Sequence, residues 1–557
     1  MAGYQPTIDC LILGFYDYPL PEYVEIVRAF GERSGAYRDL ALSLVVLNGK
    51  PYRALDVLTM LRKAEMRVVE PPFHNADVLW PVVAYLTSYL QRRGLSADYV
   101  NLPHIEDDDL RRKLQSPVRA IAITTTLYVS PLPIVELIKR CRRWNPKATI
   151  IVGGPFVSTV ATSRNEALTA MLGYIGADIY VLCNEGEATL AATLLALKNG
   201  TPLSTIPNLA LRSPDRGFSF TDSSPEANAL AENPIDYALF SKQEIGQFVT
   251  TRTAKSCPFD CAFCGFPARA GRYTYLDVDH VEKLFDAIEA IGTVTTVTII
   301  DDTFNVPKGR FKEILRMMAR KRYRFTWNCF YRCDHGDDET INMMATAGCE
   351  GVFLGAESGS DVILERMHKS ARRSHYAQAI PRLNEVGIST YASFIVGFPG
   401  ETRDTVRETI DLIEETKPEY YRAQLWYADP VTPIWRERER YGIEGVGFDW
   451  KHNSMDAAEA CEWVEEMFLK VKNATWMPQL GFEQWSTFYL QRRGMTREQV
   501  RQFVRTFNEV VRHQVCGSAI SSELFETLGA CCRFDAPPTS KLAAKHEESN
   551  EAERHLL

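Results

Sequence analysis

Two patterns of apolar residues alternate along most of this chain. Short unbroken apolar runs occur at 8–14 (Ile8-Asp9-Cys10-Leu11-Ile12-Leu13-Gly14), 97–102, 118–124, 148–152 and 178–183, and each predicts a buried strand. Between them, residues 131–144, 165–172 and 187–198 carry apolar side chains at three- and four-residue intervals, the spacing of one helix face. Residues 78–93 read as a further amphipathic helix stopped by Gly94. Strand–helix alternation of this kind predicts an α/β, doubly wound parallel sheet. The stretch at 17–72 breaks the alternation, with helical spacing at 21–31 and 53–65, and reads as a helical insertion in a first domain spanning 1–200.

Residues 201–246 are rich in Pro, Ser, Asn and Asp and predict a short hairpin and a linker. The alternation then resumes. Strands are expected at 248–253, 295–300, 325–329, 351–354, 389–396 and 420–425, with helices at 279–291, 308–320, 339–347, 375–386 and 405–416. Strand–helix units with polar residues at the strand ends predict a partial (β/α)6 barrel over 247–425, whose chemistry belongs at the carboxyl ends of its strands. Helical spacing near 456–473 and 496–512 predicts a C-terminal helical cap over 426–536, and the Lys/Glu/Ser-rich tail at 537–557 reads as disordered.

Composition narrows the function. The chain has 557 residues, 45% hydrophobic and 24% charged, which is globular and leaves room for several domains. A net charge of −8 argues against broad nucleic-acid binding, which needs an extended basic surface. No apolar run reaches the length of a membrane span. Residues Met1–Pro6 lack the basic and apolar regions of a signal peptide. Thirteen cysteines, an odd number, do not suggest a disulfide framework, so a reducing cytoplasm is expected.

The densest chemistry lies just after the first expected barrel strand, in Cys257-Pro258-Phe259-Asp260-Cys261-Ala262-Phe263-Cys264-Gly265-Phe266-Pro267. Cysteines at C-x3-C-x2-C offer three thiolates from one loop. Structural zinc sites use four ligands, so a zinc reading needs a distant His or Cys. Three thiolates suit three irons of a [4Fe–4S] cluster whose fourth iron is open to a small molecule. The plain alternative is three buried apolar cysteines. At the expected barrel mouth, Asp301 and Asp302 face a ligand or cap the next helix. Asn328 and Arg332 point the same way. Arg332 either grips an anionic substrate group or bridges to Asp334, and Tyr331 is a candidate substrate contact. Cys329, Cys333 and Cys349 read as core. Trp450 and His452 line a cavity or belong to aromatic core, and Cys531-Cys532 lacks the partners of a chelate. In the first domain, three strand ends suit a bulky ligand approaching backbone: Thr124-Thr125-Thr126-Leu127, Gly153-Gly154-Pro155 and Asn184-Glu185-Gly186-Glu187. They are equally ordinary strand-to-helix turns.

The cysteine loop resembles the signature of the radical S-adenosylmethionine (SAM) enzymes. That resemblance implies cluster ligands Cys257, Cys261 and Cys264, and SAM contacts from Phe263, Gly265, Asn328, Glu357, Ser358 and Gly397. Asp302, Tyr331 and Arg332 are then the candidate catalytic residues. A doubly wound sheet placed before such a loop is similar to the cobalamin-dependent group, which implies that Thr124–Leu127, Gly153–Pro155, Glu185 and Gly186 lie against cobalamin. The chain has no Asp-x-His-x-x-Gly, the motif that supplies a lower axial histidine elsewhere. The runs Asp9–Gly14 and Ser34-Gly35-Ala36-Tyr37-Arg38-Asp39-Leu40 resemble the branch of phosphinate P-methyltransferases. The function so implied is movement of a methyl group from SAM, through methylcobalamin, to an unactivated centre of a small natural-product precursor in antibiotic biosynthesis. The acceptor is phosphinate phosphorus or, alternatively, carbon, as in a tryptophan C-methyltransferase. A radical rearrangement without methylation and a non-catalytic cobalamin or iron–sulfur sensor are the other readings. A monomer is expected, with a one-electron donor such as flavodoxin or ferredoxin as partner, and neither nucleic acid nor membrane.

Overall fold

The computed structural model describes residues 8–66, 72–162, 166–213, 215 and 217–534. The tail expected to be disordered and the start of the chain lie outside the described residues. The chain divides into two compact units.

The first unit comprises the segment ending at Tyr18, Val78–Ser241 and Arg269–Arg272. Its sheet, among the described residues, runs in the order Ala97–Val100, Ile8–Leu13, Val118–Thr124, Thr149–Gly153, Ile179–Val181, Leu209–Arg212, Phe218–Phe220. The first five strands are parallel and the last two antiparallel. Numbered along the chain, the parallel part is 2-1-3-4-5, a doubly wound order whose switch point lies between Ile8–Leu13 and Val118–Thr124. Both strands are almost wholly buried, as their unbroken apolar runs require of a sheet covered on both faces. The segment expected to be a linker corrects in part. Leu209–Arg212 and Phe218–Phe220 form the expected hairpin, but it extends this sheet, because Val181 still offers an unpaired edge to Leu209.

The second unit holds Pro19–Asp77, Lys242–Ala268 and the chain from Tyr273 onward. Six parallel strands follow in sequence order: Phe248–Thr251, Thr296–Ile299, Thr326–Phe330, Cys349–Glu357, Ser389–Val396 and Tyr420–Leu425. This is the expected partial barrel, with a short seventh strand, Thr475–Trp476, added beside the sixth. The 17–72 insertion does not join the first unit, contrary to expectation. Its helix Gly35–Ala41 packs in the barrel unit, where Arg422, wholly buried on the sixth strand, pairs with Asp39 at 2.6 Å. Gly35 fits there because a Cβ would lie 2.6 Å from Leu425. Arg38 adds a bidentate pair with Glu465, at 2.7 and 2.8 Å.

The C-terminal region does more than cap. Helix Gln484–Arg492 closes the amino-terminal end of the barrel. Arg492 donates to Thr296 Oγ1 (2.6 Å) and Thr326 Oγ1 (2.7 Å), both first residues of their strands, and pairs with Glu350 at 2.6 Å. Phe488 packs on Gly351, where a Cβ would stand 2.3 Å from its ring. With that end closed, the barrel's chemistry belongs at the other, where the strands end.

Candidate active site

The cysteine loop is held by ties on every side. At its base, Ala254–Lys255 pairs with Thr274–Tyr275. Asp301, buried at the end of the second barrel strand, accepts from the backbone nitrogens of Thr253 (2.6 Å) and Ala254 (2.9 Å) and from the Thr253 hydroxyl. Arg310 donates to that hydroxyl at 2.8 Å. Asp301 therefore anchors the strand-to-loop turn, and neither it nor Asp302 caps the next helix, which begins at Lys308. Ser256, at φ +64°, reverses the chain just before Cys257. Farther on, Ala262 N donates to Met367 O and Ala262 O accepts from Ile434 N, each at 2.9 Å.

Cys257, Cys261 and Cys264 converge closely enough that a charge on one raises the others. Burial raises all three thiols, Cys264 to about 11. At Cys261, the nearby charges of Lys369 and Arg332 oppose that rise. Three spaced thiols in a desolvated pocket with two cations beside them fit a polynuclear, negatively charged cluster better than a lone zinc ion.

Arg332 belongs to this support. Its guanidinium lies 3.6 Å from the centroid of Phe259, donates to Asp334 at 2.8 and 3.1 Å, and donates to Ser370 Oγ at 2.8 Å. Of its two expected roles the structure shows the bridge to Asp334, and the same guanidinium supports the cysteine loop through Phe259.

Glu357 ends the fourth strand with φ +65°, a left-handed conformation costly for a residue with a side chain and one that aims its carboxylate. Lys369, itself buried, donates to that carboxylate at 2.7 Å and to Gly355 O, and its ammonium lies 5.7 Å from the Phe263 ring. Phe263, Glu357 and Lys369 thus meet beside Cys261. Sequence reasoning missed Lys369, a lone base in a loop with no pattern around it.

At the fifth strand the chain turns at Gly397, φ +90°. Glu401, 1% exposed, accepts from Gly397 N at 2.5 Å and from the Phe398 backbone. Burial pushes its carboxyl up to about 8 despite those donors. Trp450 and His452 stack at 5.1 Å and support the turn, His452 Nε2 lying 3.0 Å from Gly397 O. They form aromatic core, one of the two roles expected for them.

Other predicted residues stand elsewhere. Asp302 faces the mouth, near Cys257 and Arg252, and is open to water within a concave wall. Reduced solvation, then the charge of Asp301, raises its carboxyl to about 7. Asn328 lies deep in the barrel, accepting from Thr298 Oγ1 at 2.9 Å, one layer above the Arg492 closure. Tyr331 is buried on the helix-facing side against Phe311 and Gly336, away from the mouth, because alternate residues of a strand face opposite ways. Ser358 accepts from Ser360 N and lies 3.4 Å from Thr409 Oγ1, so it binds the outer helix layer. Gly265 is buried within the cysteine loop.

In the first unit, Thr125 donates through N and Oγ1 to Gly153 O, at 2.9 and 3.0 Å, and accepts from Phe156 N. Thr124, in register with Gly153, is buried, and Thr126 is half-buried. Gly154, φ +107°, lies so close to Thr125 that a Cβ would be 3.0 Å from its Oγ1. Leu127 stands 60% exposed at φ +68°, and Pro155 is exposed at the start of its helix. These two strand ends form one ledge at the carboxyl edge, the kind a flat ligand needs. Glu185 and Gly186 border it through Val181, but the Glu185 carboxylate accepts from Asn228. Phe15, within 6.3 Å of Trp80, His104 and Tyr128, brings an aromatic wall to the switch point. Sequence reasoning passed over it because it lies past the Gly14 that ends the first strand.

Residues 252–413, which hold the cysteine loop and four of the six barrel strands, match the model of the Radical SAM superfamily. Over 366 residues the chain is 25% identical to an uncharacterized methyltransferase of Pyrococcus horikoshii, covering 63% of this chain and 77% of that one. Its fold is similar to the radical SAM methyltransferase TsrM of Kitasatospora setae, solved with cobalamin and a [4Fe–4S] cluster (TM-score 0.53, 21% identity, 66% of this chain and 72% of that chain). It is also similar to the cobalamin-dependent SAM radical enzyme OxsB, solved with aqua-cobalamin (TM-score 0.53, 15% identity, 84% and 77%).

Proposed function

We propose that this protein is a cobalamin-dependent radical SAM methyltransferase acting on a small molecule. The observation that carries the reading is the loop of Cys257, Cys261 and Cys264 on the first strand of a radical SAM barrel, with Phe263, Glu357 and the Gly397 turn around it. When bound, a [4Fe–4S] cluster with SAM supplies one-electron chemistry, and cobalamin supplies a methyl carrier. The chain's own part is to position and to exclude. The three thiols hold the cluster, Arg332 and Asp301 fix their loop, and the Glu357–Lys369 pair presents a directed carboxylate where SAM would lie. In the first unit, the Thr125–Gly154 ledge offers backbone at close range to a corrin face. The sheet order, the methyltransferase relative and the two cobalamin-bound neighbours support this half.

Two acceptors stand within the reading, phosphinate phosphorus and a carbon centre such as that of tryptophan. An outside one-electron donor, a flavodoxin or ferredoxin, completes it, and a reducing cytoplasm suits it. Among the described residues no helix is long and apolar enough to cross a membrane. The test is anaerobic reconstitution with iron, sulfide, hydroxocobalamin and methyl-labelled SAM, followed by product mass on a phosphinate and on tryptophan. Label appearing in methylcobalamin and then in one acceptor supports the reading. SAM cleavage with no methyl gain in any acceptor or in cobalamin refutes methyl transfer, and an unchanged outcome with Cys261→Ala refutes the cluster assignment.

A further inference from the structure

We infer that the barrel receives a neutral aromatic or heteroaromatic ring, which makes ring carbon, not a free phosphinate, the acceptor of the proposed methyl transfer; this rests on that reading of the function. The argument begins with strand alternation. Thr296 and Thr298 face the barrel axis, since they meet Arg492 and Asn328, and Ile300, whose N–H continues the ladder to Thr251 O, faces it too. By register the same level holds Phe330 on the third strand and Phe353 on the fourth, and Phe353 lies beside Tyr391 on the fifth. Their rings form a ladder across adjacent strands, with centroids 4.7 Å apart for Phe330–Phe353 and 4.9 Å for Phe353–Tyr391. Below that level Thr296, Thr298 and Asn328 are buried. At it, Ile300 is 37% exposed, Phe330 and Phe353 are half-buried, and Ile395, two levels higher, is half-buried as well. Inward-facing apolar side chains that retain exposure line a hollow, and this one is closed below by Phe488 and Arg492.

Charge decides what the hollow takes. Four basic side chains of the strands, their end loops and the closing helix are paired with carboxylates, and a fifth lies near one. Arg332 pairs with Asp334 at 2.8 Å, Lys369 with Glu357 at 2.7 Å, Arg422 with Asp39 at 2.6 Å and Arg492 with Glu350 at 2.6 Å, and Arg252 acts on Asp302. An anionic phosphinate would have to break one of these pairs and strand a carboxylate in a poorly solvated wall, a loss that buried pairs make severe. A neutral ring needs only the apolar wall and the edges and faces of Phe330 and Phe353, the packing aromatic pairs favour. Asp302 at the rim then remains available for a ring N–H or hydroxyl.

The test is binding to the reconstituted holoenzyme, measured by anaerobic equilibrium dialysis with labelled indole and labelled methylphosphinate. Cluster and cobalamin absorbance are recorded on every sample, so binding is read independently of turnover. Indole should bind at least tenfold more tightly than methylphosphinate. Phe353→Ala should weaken indole about tenfold. Ile300→Glu, at a partly exposed position that does not hold the core, should weaken it as much if Phe353→Ala fails to fold. Tighter binding of methylphosphinate, binding of neither probe, or indole binding indifferent to these substitutions overturns the inference. Loss of methyl transfer to cobalamin with indole binding intact would instead overturn the proposed function and leave the hollow's preference standing.

Discussion

Glu401 gives the sharpest quantitative test of the barrel's architecture. It sits under the Gly397 turn, 1% exposed, accepting from two backbone N–H groups, and burial raises its carboxyl to about 8 from the ordinary 4.5. An acid raised on folding binds more protons in the native state than in the unfolded chain between those two values. Stability contributed by this group is therefore full at and below pH 4.5 and falls as pH climbs toward 8. The slope can reach about 1.4 kcal/mol per pH unit, for an upper limit near 4–5 kcal/mol across the window. Glu401→Gln keeps the shape and an oxygen that accepts from both N–H groups, and it removes the titration.

The assay is the urea midpoint of the apoprotein from pH 5.5 to 8.5, wild type against Glu401→Gln, under reducing conditions. Asp302 and Glu483, both raised to about 7 by burial, titrate in the two proteins alike and cancel in the difference. The variant should gain on the wild type as pH rises, with most of the gain before pH 8. A difference that is flat with pH, or that favours the wild type increasingly at high pH, refutes the reasoning. A flat difference would mean that water reaches the carboxylate or that the two backbone donors outweigh its burial, since either puts its titration below the window.

Gly397→Ala should destabilise by about 2–4 kcal/mol, from the left-handed conformation and from overlap with Trp450, whose ring atom would lie 2.4 Å from the new Cβ. Trp450→Leu in the same chain should recover the overlap part only, as a double-mutant cycle on urea midpoints would show. Arg332→Ala should lower cluster retention, read as iron per chain and visible absorbance after desalting, with partial rescue by Arg332→Lys, which restores charge toward Asp334 but not the flat stack on Phe259. Arg492→Met leaves Glu350 unpaired at the closed end and should cost about 3–5 kcal/mol, whereas Arg492→Met with Glu350→Gln should recover most of it. Asp301→Asn should weaken the cysteine loop's anchor by about 1–3 kcal/mol and raise proteolytic cleavage near Thr253.

What the sequence made legible, and what it hid, divide along the range of the interactions involved. The strands were readable because their apolar runs are local, and the three cysteines were readable because they stand together in one short loop. Asn328, Tyr331 and Ser358 were placed at the mouth by nearness to a strand end. Pairing alternates strand faces, and a bulge between Trp327 and Asn328 shifts the register, so nearness in sequence did not carry the direction of a side chain. Tyr331 and Ser358 turned to the helices and Asn328 to the layer above Arg492. Arg422 shows the limit most plainly. Nothing local says that a base on a barrel strand will be neutralised by Asp39, 383 residues earlier, or that the segment carrying Asp39 belongs to the barrel's unit at all. The same long-range pairing changed the functional question. Read in sequence, Arg332 was as good a partner for a substrate anion as for Asp334. In the fold it stacks on Phe259 and pairs with Asp334, Lys369 pairs with Glu357, and Ile300, Phe330 and Phe353 keep part of their surface exposed. On the proposed reading, the residues that would direct the chemistry onto a ring are ones that no motif contains.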